Sequence, residues 1–170
     1  MFFGLYRKTP VYREWLAKTF SGTTTMDDKI NDIGILYVED DEIDIRHLLR
    51  EFRKINPSIH IDVVHNGMEA LEKLKGERNK SQSEVVPKAI LLDINLPQMS
   101  GIDFLKKLRS DPRFRATVVF LITSFYTTQD KIAVRDLNVS GCIIKPLQHT
   151  DAINLLWCMN SDLQSAELFF

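Results

Sequence analysis

Short runs of apolar, often β-branched residues alternate with stretches of helical periodicity along most of this chain, and that alternation limits its fold more than any other feature. The runs are residues 33–38, 59–64, 89–93, 117–122 and 142–144, each of strand length. Between them, Ile45, Leu48, Leu49 and Phe52 fall at i, i+3, i+4 and i+7, one face of a helix. Asn66 can cap a second helix holding Met68, Leu71 and Leu74. Ser100-Gly101-Ile102-Asp103 reads as the start of a third, with Ile102, Leu105 and Leu108 inward and Asp111-Pro112 as its stop. Thr127-Thr128-Gln129-Asp130 has capping-box form ahead of Ile132, Val134 and Leu137. Thr150 can cap a last helix with Ile153, Leu156 and Trp157 facing in, and residues 76–86 read as a polar loop. Five strands alternating with five helices imply an α/β fold, a parallel sheet covered on both faces through right-handed crossovers.

Such a sheet brings the carboxyl ends of its strands to one edge, where open α/β folds place their sites. The first strand ends in Glu39-Asp40-Asp41, the third in Asp93, the fourth in Thr123-Ser124 and the fifth in Lys145-Pro146. Read singly, these are ordinary: Asp93 would cap a turn, Thr123 would be a β residue, and Lys145-Pro146 would be a surface loop. Read together they are a chemistry. Crowded carboxylates repel and raise one another's pKa, and a hard divalent cation with oxygen ligands, Mg²⁺, relieves that. Lys145 supplies a point charge for a phosphoryl oxygen and Thr123 a hydroxyl donor. A carboxylate beside a metal, a lysine and a hydroxyl suits phosphoryl transfer, which needs positioning and electrostatics above all. Asp41 is better placed as an acid at a helix N-terminus. His47, His60, His65 and His149 share no spacing, so none is given a role.

Composition narrows the partners. A net charge of −1 over 170 residues gives no bulk case for nucleic-acid binding. Cys142 and Cys158 form no zinc or CxxC pattern, and no apolar stretch approaches the ~20 residues of a membrane span. With no secretory signal visible, the expected location is a reducing cytoplasm.

The motifs Ile35-Leu36-Tyr37-Val38-Glu39-Asp40-Asp41, Leu91-Leu92-Asp93-Ile94-Asn95-Leu96-Pro97 through Gly101, Thr123-Ser124 and Lys145-Pro146 stand in order at four strand ends. In this set the chain resembles the response regulator receiver domains of two-component signalling over residues 33–160. The resemblance implies a flavodoxin-like (βα)5 three-layer sandwich with strand order 2-1-3-4-5. It makes Asp93 the phosphoacceptor, with Mg²⁺ on Asp40 and Asp93, Glu39 assisting, and the Asn95 backbone carbonyl as a further ligand. Thr123 and Lys145 would bind the phosphoryl group, and Pro146 would follow a cis peptide bond. Residues 91–97, Arg109-Ser110-Asp111-Pro112 and the long loop before the third strand look like the stand-alone regulators that serve bacterial phytochrome-type kinases.

One position departs from the pattern. Three residues before the strand-5 lysine the family usually has Tyr or Phe, which swings inward when the switch threonine engages phosphate; here it is Cys142. Cysteine cannot sweep that volume. Tyr126 or Phe125, after Thr123, are the aromatic side chains nearest in sequence that could take the role, and a small buried hydrophobe is the plainer reading of Cys142.

The expected organisation is an N-terminal extension at 1–30, a receiver domain at 31–163 and a tail at 164–170. The extension carries Arg7, Lys8, Arg13 and Lys18 against Glu14, with Phe2, Phe3, Tyr6, Tyr12, Trp15 and Phe20. It admits three readings: Met26 is the true start, the basic aromatic stretch binds a partner or an anionic membrane surface, or it is disordered. No output module follows the last helix in this sequence, so the expectation is a single-domain regulator and not an enzyme on outside substrates. Its donor would be a sensor histidine kinase or a phosphotransfer protein, and its downstream protein target is unknown. Its output face, and a possible homodimer contact, would be the fourth helix, fifth strand and fifth helix near Asp130, Lys131, Val134, Arg135, Leu147 and Trp157. The alternatives are a Mg²⁺-dependent phosphatase or phosphotransferase with an aspartyl nucleophile, and a phosphorylation-independent interaction module. Asn95 counts against the enzyme, because such enzymes favour an acid two residues after the nucleophile.

Overall fold

The computed structural model describes residues 34–76 and 87–159. The expected extension at 1–30, the tail at 164–170 and all but the first residue of the 76–86 loop lie outside them.

Five parallel strands form one sheet in the order β2-β1-β3-β4-β5. They are β1 (Ile35–Val38), β2 (Ile61–Val64), β3 (Ala89–Leu92), β4 (Val118–Thr123) and β5 (Gly141–Ile144). The helices are α1 (Glu42–Ile55), α2 (Gly67–Gly76), α3 (Gly101–Ser110), α4 (Thr128–Val134) and α5 (His149–Met159), with a 3-10 turn at Pro112–Phe114. This is the expected flavodoxin-like three-layer sandwich. Strand limits differ from the sequence reading by one or two residues: apolar runs outlast the ladder in β1, β2 and β3, while the ladder takes in Thr123 at the end of β4 and Gly141 at the start of β5.

Both faces of the sheet are covered, which is why β1 and β3 read as unbroken apolar runs instead of alternating ones. Tyr37, Leu91, Phe120 and Ile143 pack with Leu48 and Phe52 of α1 and Leu156 and Trp157 of α5. Leu36, Ile90, Leu92 and Leu121 point the other way, toward Ala70 and Leu74 of α2, Phe104 and Leu108 of α3 and Val134 of α4. Trimming any of the leucines in β3, which are fully buried, would cost about 2–5 kcal/mol.

The helix starts follow the capping chemistry with one exception. The Glu69 amide donates to Asn66, and the Asp103 amide to Ser100. Thr127 and Asp130 form a complete capping box. Thr150 does not cap α5: the helix begins one residue earlier, and Asp151 accepts from the Gln148 amide at 2.9 Å. Three inward assignments also change. Met68 and Ile132 are exposed, and Phe104, not the half-buried Ile102, is the buried centre of α3. Among the described residues no helix is long and apolar enough to cross a membrane.

Candidate functional site

The register Val38↔Leu92 sets the ends of β1 and β3 side by side, so Glu39 and Asp93 emerge as neighbours. The Asp93 amide donates to the Val38 carbonyl and the Glu39 amide to Val64, which extends the ladder just past each strand. Lys145 arrives at the same place from the end of β5, its amide held by the Thr123 carbonyl at 2.9 Å. A cis peptide joins it to Pro146, as expected.

The Lys145 ammonium sits in a fork of three carboxylates. Its Nζ lies 2.5 Å from Glu39 Oε2, 2.6 Å from Asp93 Oδ2 and 2.9 Å from Asp44 Oδ2. The lysine and its Glu39 and Asp93 partners keep less than a tenth of their side-chain surface exposed. Charges so buried persist only when paired; removing the lysine alone would leave two uncompensated carboxylates, a change that costs about 3–5 kcal/mol in such settings. Burial pushes the Lys145 pKa down, but the bonds to Asp93, Glu39 and Asp44 outweigh it and hold it above the ordinary lysine value. Glu39 moves above the usual carboxylate range, because burial and the Asp93 charge outweigh Lys145.

Each acid has further anchors. Tyr37, two residues back on the same strand face, donates from its hydroxyl to Glu39 Oε2 at 3.0 Å. The Asp41 amide donates to Glu39 Oε1 at 3.2 Å. Burial, with Glu39 beside it, drives the Tyr37 phenol far above its usual pKa, so it serves as a permanent donor. Asp93 Oδ1 accepts from the Asn95 amide at 3.0 Å, and the Asn95 side-chain amide donates to Thr123 Oγ1 at 3.3 Å. Asp40, by contrast, is exposed. Gly101 closes the loop after β3: its amide donates to the Ile94 carbonyl, and a Cβ there would stand 2.0 Å from the Asp93 carbonyl oxygen.

Glu39, Asp93, Asn95, Thr123 and Lys145 are therefore brought together, as their strand ends imply. Asp41 takes the expected helix-start role, accepting from the Ile43 and Asp44 amides. Cys142 sits half-buried in β5 opposite Leu121. Tyr126 is half-buried against the same cluster as Cys142, whereas Phe125 is 75 % exposed.

Two contributors escaped the sequence reading. Asp44 is the third carboxylate on Lys145. His47, given no role from its spacing, lies with Nε2 2.8 Å from the Leu147 carbonyl oxygen, and Arg50 Nη2 lies 3.0 Å from its Nδ1. These contacts select the tautomer protonated on Nε2. Asp44 and His47 are i, i+3 on α1 and both reach the β5–α5 connection; that spacing was the available signal.

Among the described residues no group of three or more His, Cys, Asp or Glu side chains stands in position to hold a metal ion. Glu39 and Asp93 converge on an ammonium instead. The donors themselves suit a hard cation: buried oxygen ligands from two adjacent strand ends, an exposed Asp40 beside them, and a backbone carbonyl at Asn95. Chemically, Asp93 is a buried carboxylate paired with the Lys145 cation and linked through Asn95 to the Thr123 hydroxyl.

The family model of the response regulator receiver domain matches residues 35–156. A solved two-component response regulator from Legionella pneumophila is 46 % identical, with a TM-score of 0.69 over 76 % of this chain and 98 % of that one. The phosphorylated cyanobacterial phytochrome response regulator RcpA is 26 % identical, with a TM-score of 0.63 over 79 % of this chain and 95 % of that one. The chemotaxis protein CheY1 of Helicobacter pylori is 30 % identical over 112 residues, 65 % of this chain and 84 % of that protein.

Proposed function

This chain belongs to the response regulator receiver domain family, and we propose that it is a phosphoacceptor of a two-component relay, taking a phosphoryl group on Asp93. The carrying observation is the convergence on Asp93 of Lys145, at 2.6 Å, from a strand two places away in the sheet. An Asp93 carboxylate oxygen attacks the phosphorus of a phosphohistidine on a histidine kinase or phosphotransfer protein. An O–P bond forms, the P–N bond breaks, and the histidine nitrogen leaves with the bond's electron pair. Lys145 and the Thr123 hydroxyl then face the new phosphoryl oxygens. Glu39, Asp40, Asp93 and the Asn95 carbonyl are the groups that would hold Mg²⁺, which would neutralise charge gathering on the phosphoryl oxygens. The output is a shift between two arrangements of the face built from α4, β5 and α5, read by a downstream protein or a second copy. The phytochrome regulator among its structural neighbours supports a kinase of that type as donor, and the setting is the cytoplasm.

A phosphatase is the weaker reading. The residue two after Asp93 is Asn95, whose side-chain amide donates to Thr123 and cannot serve as a general acid.

The test is acetyl phosphate with MgCl₂, followed by intact mass and a peptide map. The wild type gains one phosphoryl group on Asp93, and Asp93→Asn gains none. An adduct persisting in that variant, or on another aspartate of the wild type, defeats the assignment; no adduct in either favours the phosphorylation-independent module.

A further inference from the structure

Asp44 is not one of the groups proposed to hold metal or phosphate, yet it closes the fork around Lys145 at 2.9 Å. Its placement is built. Asp41 caps α1 by accepting from the Ile43 and Asp44 amides at 2.7 and 3.1 Å, which fixes the first turn and the direction in which Asp44 leaves it. Glu42, in the same turn, is exposed, as expected of an acid that only complements the helix dipole. Asp44 instead turns toward the strand ends and keeps under a third of its side-chain surface exposed.

An ammonium has three N–H donors, and here it has three carboxylate partners. Two of these, Glu39 and Asp93, are the buried groups that a divalent cation must also use. Lys145 and the cation therefore compete for the same oxygens, and the ammonium needs a partner outside that set if it is to yield them without leaving the site. Only Asp44 among its three partners lies outside the set. We propose that Asp44 is a positioning residue that retains Lys145 on the α1 side of the site, so that Glu39 and Asp93 are released to a divalent cation while the ammonium stays within reach of a phosphoryl group on Asp93. This rests on the reading of the site as a Mg²⁺-assisted phosphoacceptor.

The experiment is a double-mutant cycle on the full chain, read as MgCl₂ affinity by calorimetry, without phosphate. Asp44→Asn is expected to weaken Mg²⁺ binding about tenfold, the scale of one lost charge-assisted bond. In a Lys145→Met background, where no ammonium competes, the same substitution should change affinity by less than about twofold, the residue of a screened long-range field. Asp44→Glu should recover most of the affinity. Metal-free melting curves check that each variant is folded, and Asp44→Gln replaces Asp44→Asn should the latter fail to fold. An equal loss in both backgrounds overturns the proposal and reduces Asp44 to one more negative charge. Wild type that binds no Mg²⁺ overturns the underlying reading of the site, and the proposal with it.

Discussion

The Thr123 hydroxyl donates to the Phe125 carbonyl oxygen at 3.1 Å while accepting from the Asn95 side-chain amide at 3.3 Å. The β4 residue linked through Asn95 to the Asp93 loop is thus also the tie that holds the first turn of the β4–α4 loop. A hydroxyl has one proton. It cannot donate to Phe125 and to a phosphoryl oxygen at once.

Labelling of Asp93 should therefore release the Phe125 carbonyl. In ¹³C-labelled samples, acetyl phosphate with MgCl₂ should move the Phe125 carbonyl shift, and Thr123→Val should show the displacement before phosphorylation, with no further response. The substitution should also cost about 1–3 kcal/mol of stability, since it removes both of the buried hydroxyl's bonds. A wild type that gains the phosphoryl mass with an unmoved Phe125 carbonyl would show that the hydroxyl keeps its present partner.

Glu39 links the site to pH. Its folded pKa is raised above the ordinary 4.5, chiefly by burial. Between the ordinary and the raised value the folded state keeps a proton that the unfolded state has lost. Stability from this group is thus full below the ordinary value and is lost as pH rises through the folded one. Glu39→Gln, which mimics the protonated form, should remove that dependence. Without metal, the melting temperature of Glu39→Gln should gain on the wild type as pH rises from the ordinary 4.5 through the raised folded pKa of Glu39. With MgCl₂ the order should narrow or reverse, since the wild type alone then gains a bound cation. A metal-free gap that is constant with pH would count against this account.

Gly101 is a steric requirement. Its missing Cβ leaves room for the Asp93 carbonyl oxygen, 2.0 Å from where that atom would be, and for the Ile94 Cα at 2.9 Å. Those are backbone atoms and cannot swing aside. Gly101→Ala should destabilise by about 1–3 kcal/mol, in the range of overpacked cores. It should also slow acetyl phosphate labelling on the order of a hundredfold, because the displaced segment carries the nucleophile. Ser100→Ala, which loses the cap on α3 and the exposed hydroxyl bond to Asp103, should cost about 1 kcal/mol and leave labelling unchanged. Equal labelling rates in the two variants would separate Gly101 from the geometry of Asp93.

The layers and the meeting of Glu39, Asp93, Thr123 and Lys145 were legible because they depend on periodicity and on where each apolar run stops; the strand order came only with the family resemblance. Asp44, His47 and Arg109 were not. The Arg109 guanidinium gathers the carbonyls of Leu137, Phe114, Thr117 and Asn138, stitching the end of α3 to the connections that lead into β4 and β5. Such residues act through side-chain direction in three dimensions, and polar helix positions look alike in sequence whether they face water or a neighbour. Ile132 and Met68 were misplaced for a related reason: an apolar residue at helical spacing faces inward only if the sheet lies on that side, and exposed apolar side chains are common.

Cys142 is where an aromatic was expected, and its chemistry can be measured directly. Burial pushes its thiol up to about 11, so at neutral pH almost none is thiolate. The thiolate is the reactive form, and a half-buried thiol with so high a pKa is a poor redox sensor. Alkylation by iodoacetamide should be slow near neutral pH and should keep rising well past the ordinary value of 9 toward a midpoint of about 11. Cys158, also raised to about 11 by burial, should behave alike, so both sites must be followed separately by peptide mass. Cys142→Phe should restore a ring beside Tyr126 without abolishing labelling of Asp93. A reactivity midpoint near or below the ordinary thiol value would mean that Cys142 is activated, and the plain packing role would then have to be given up.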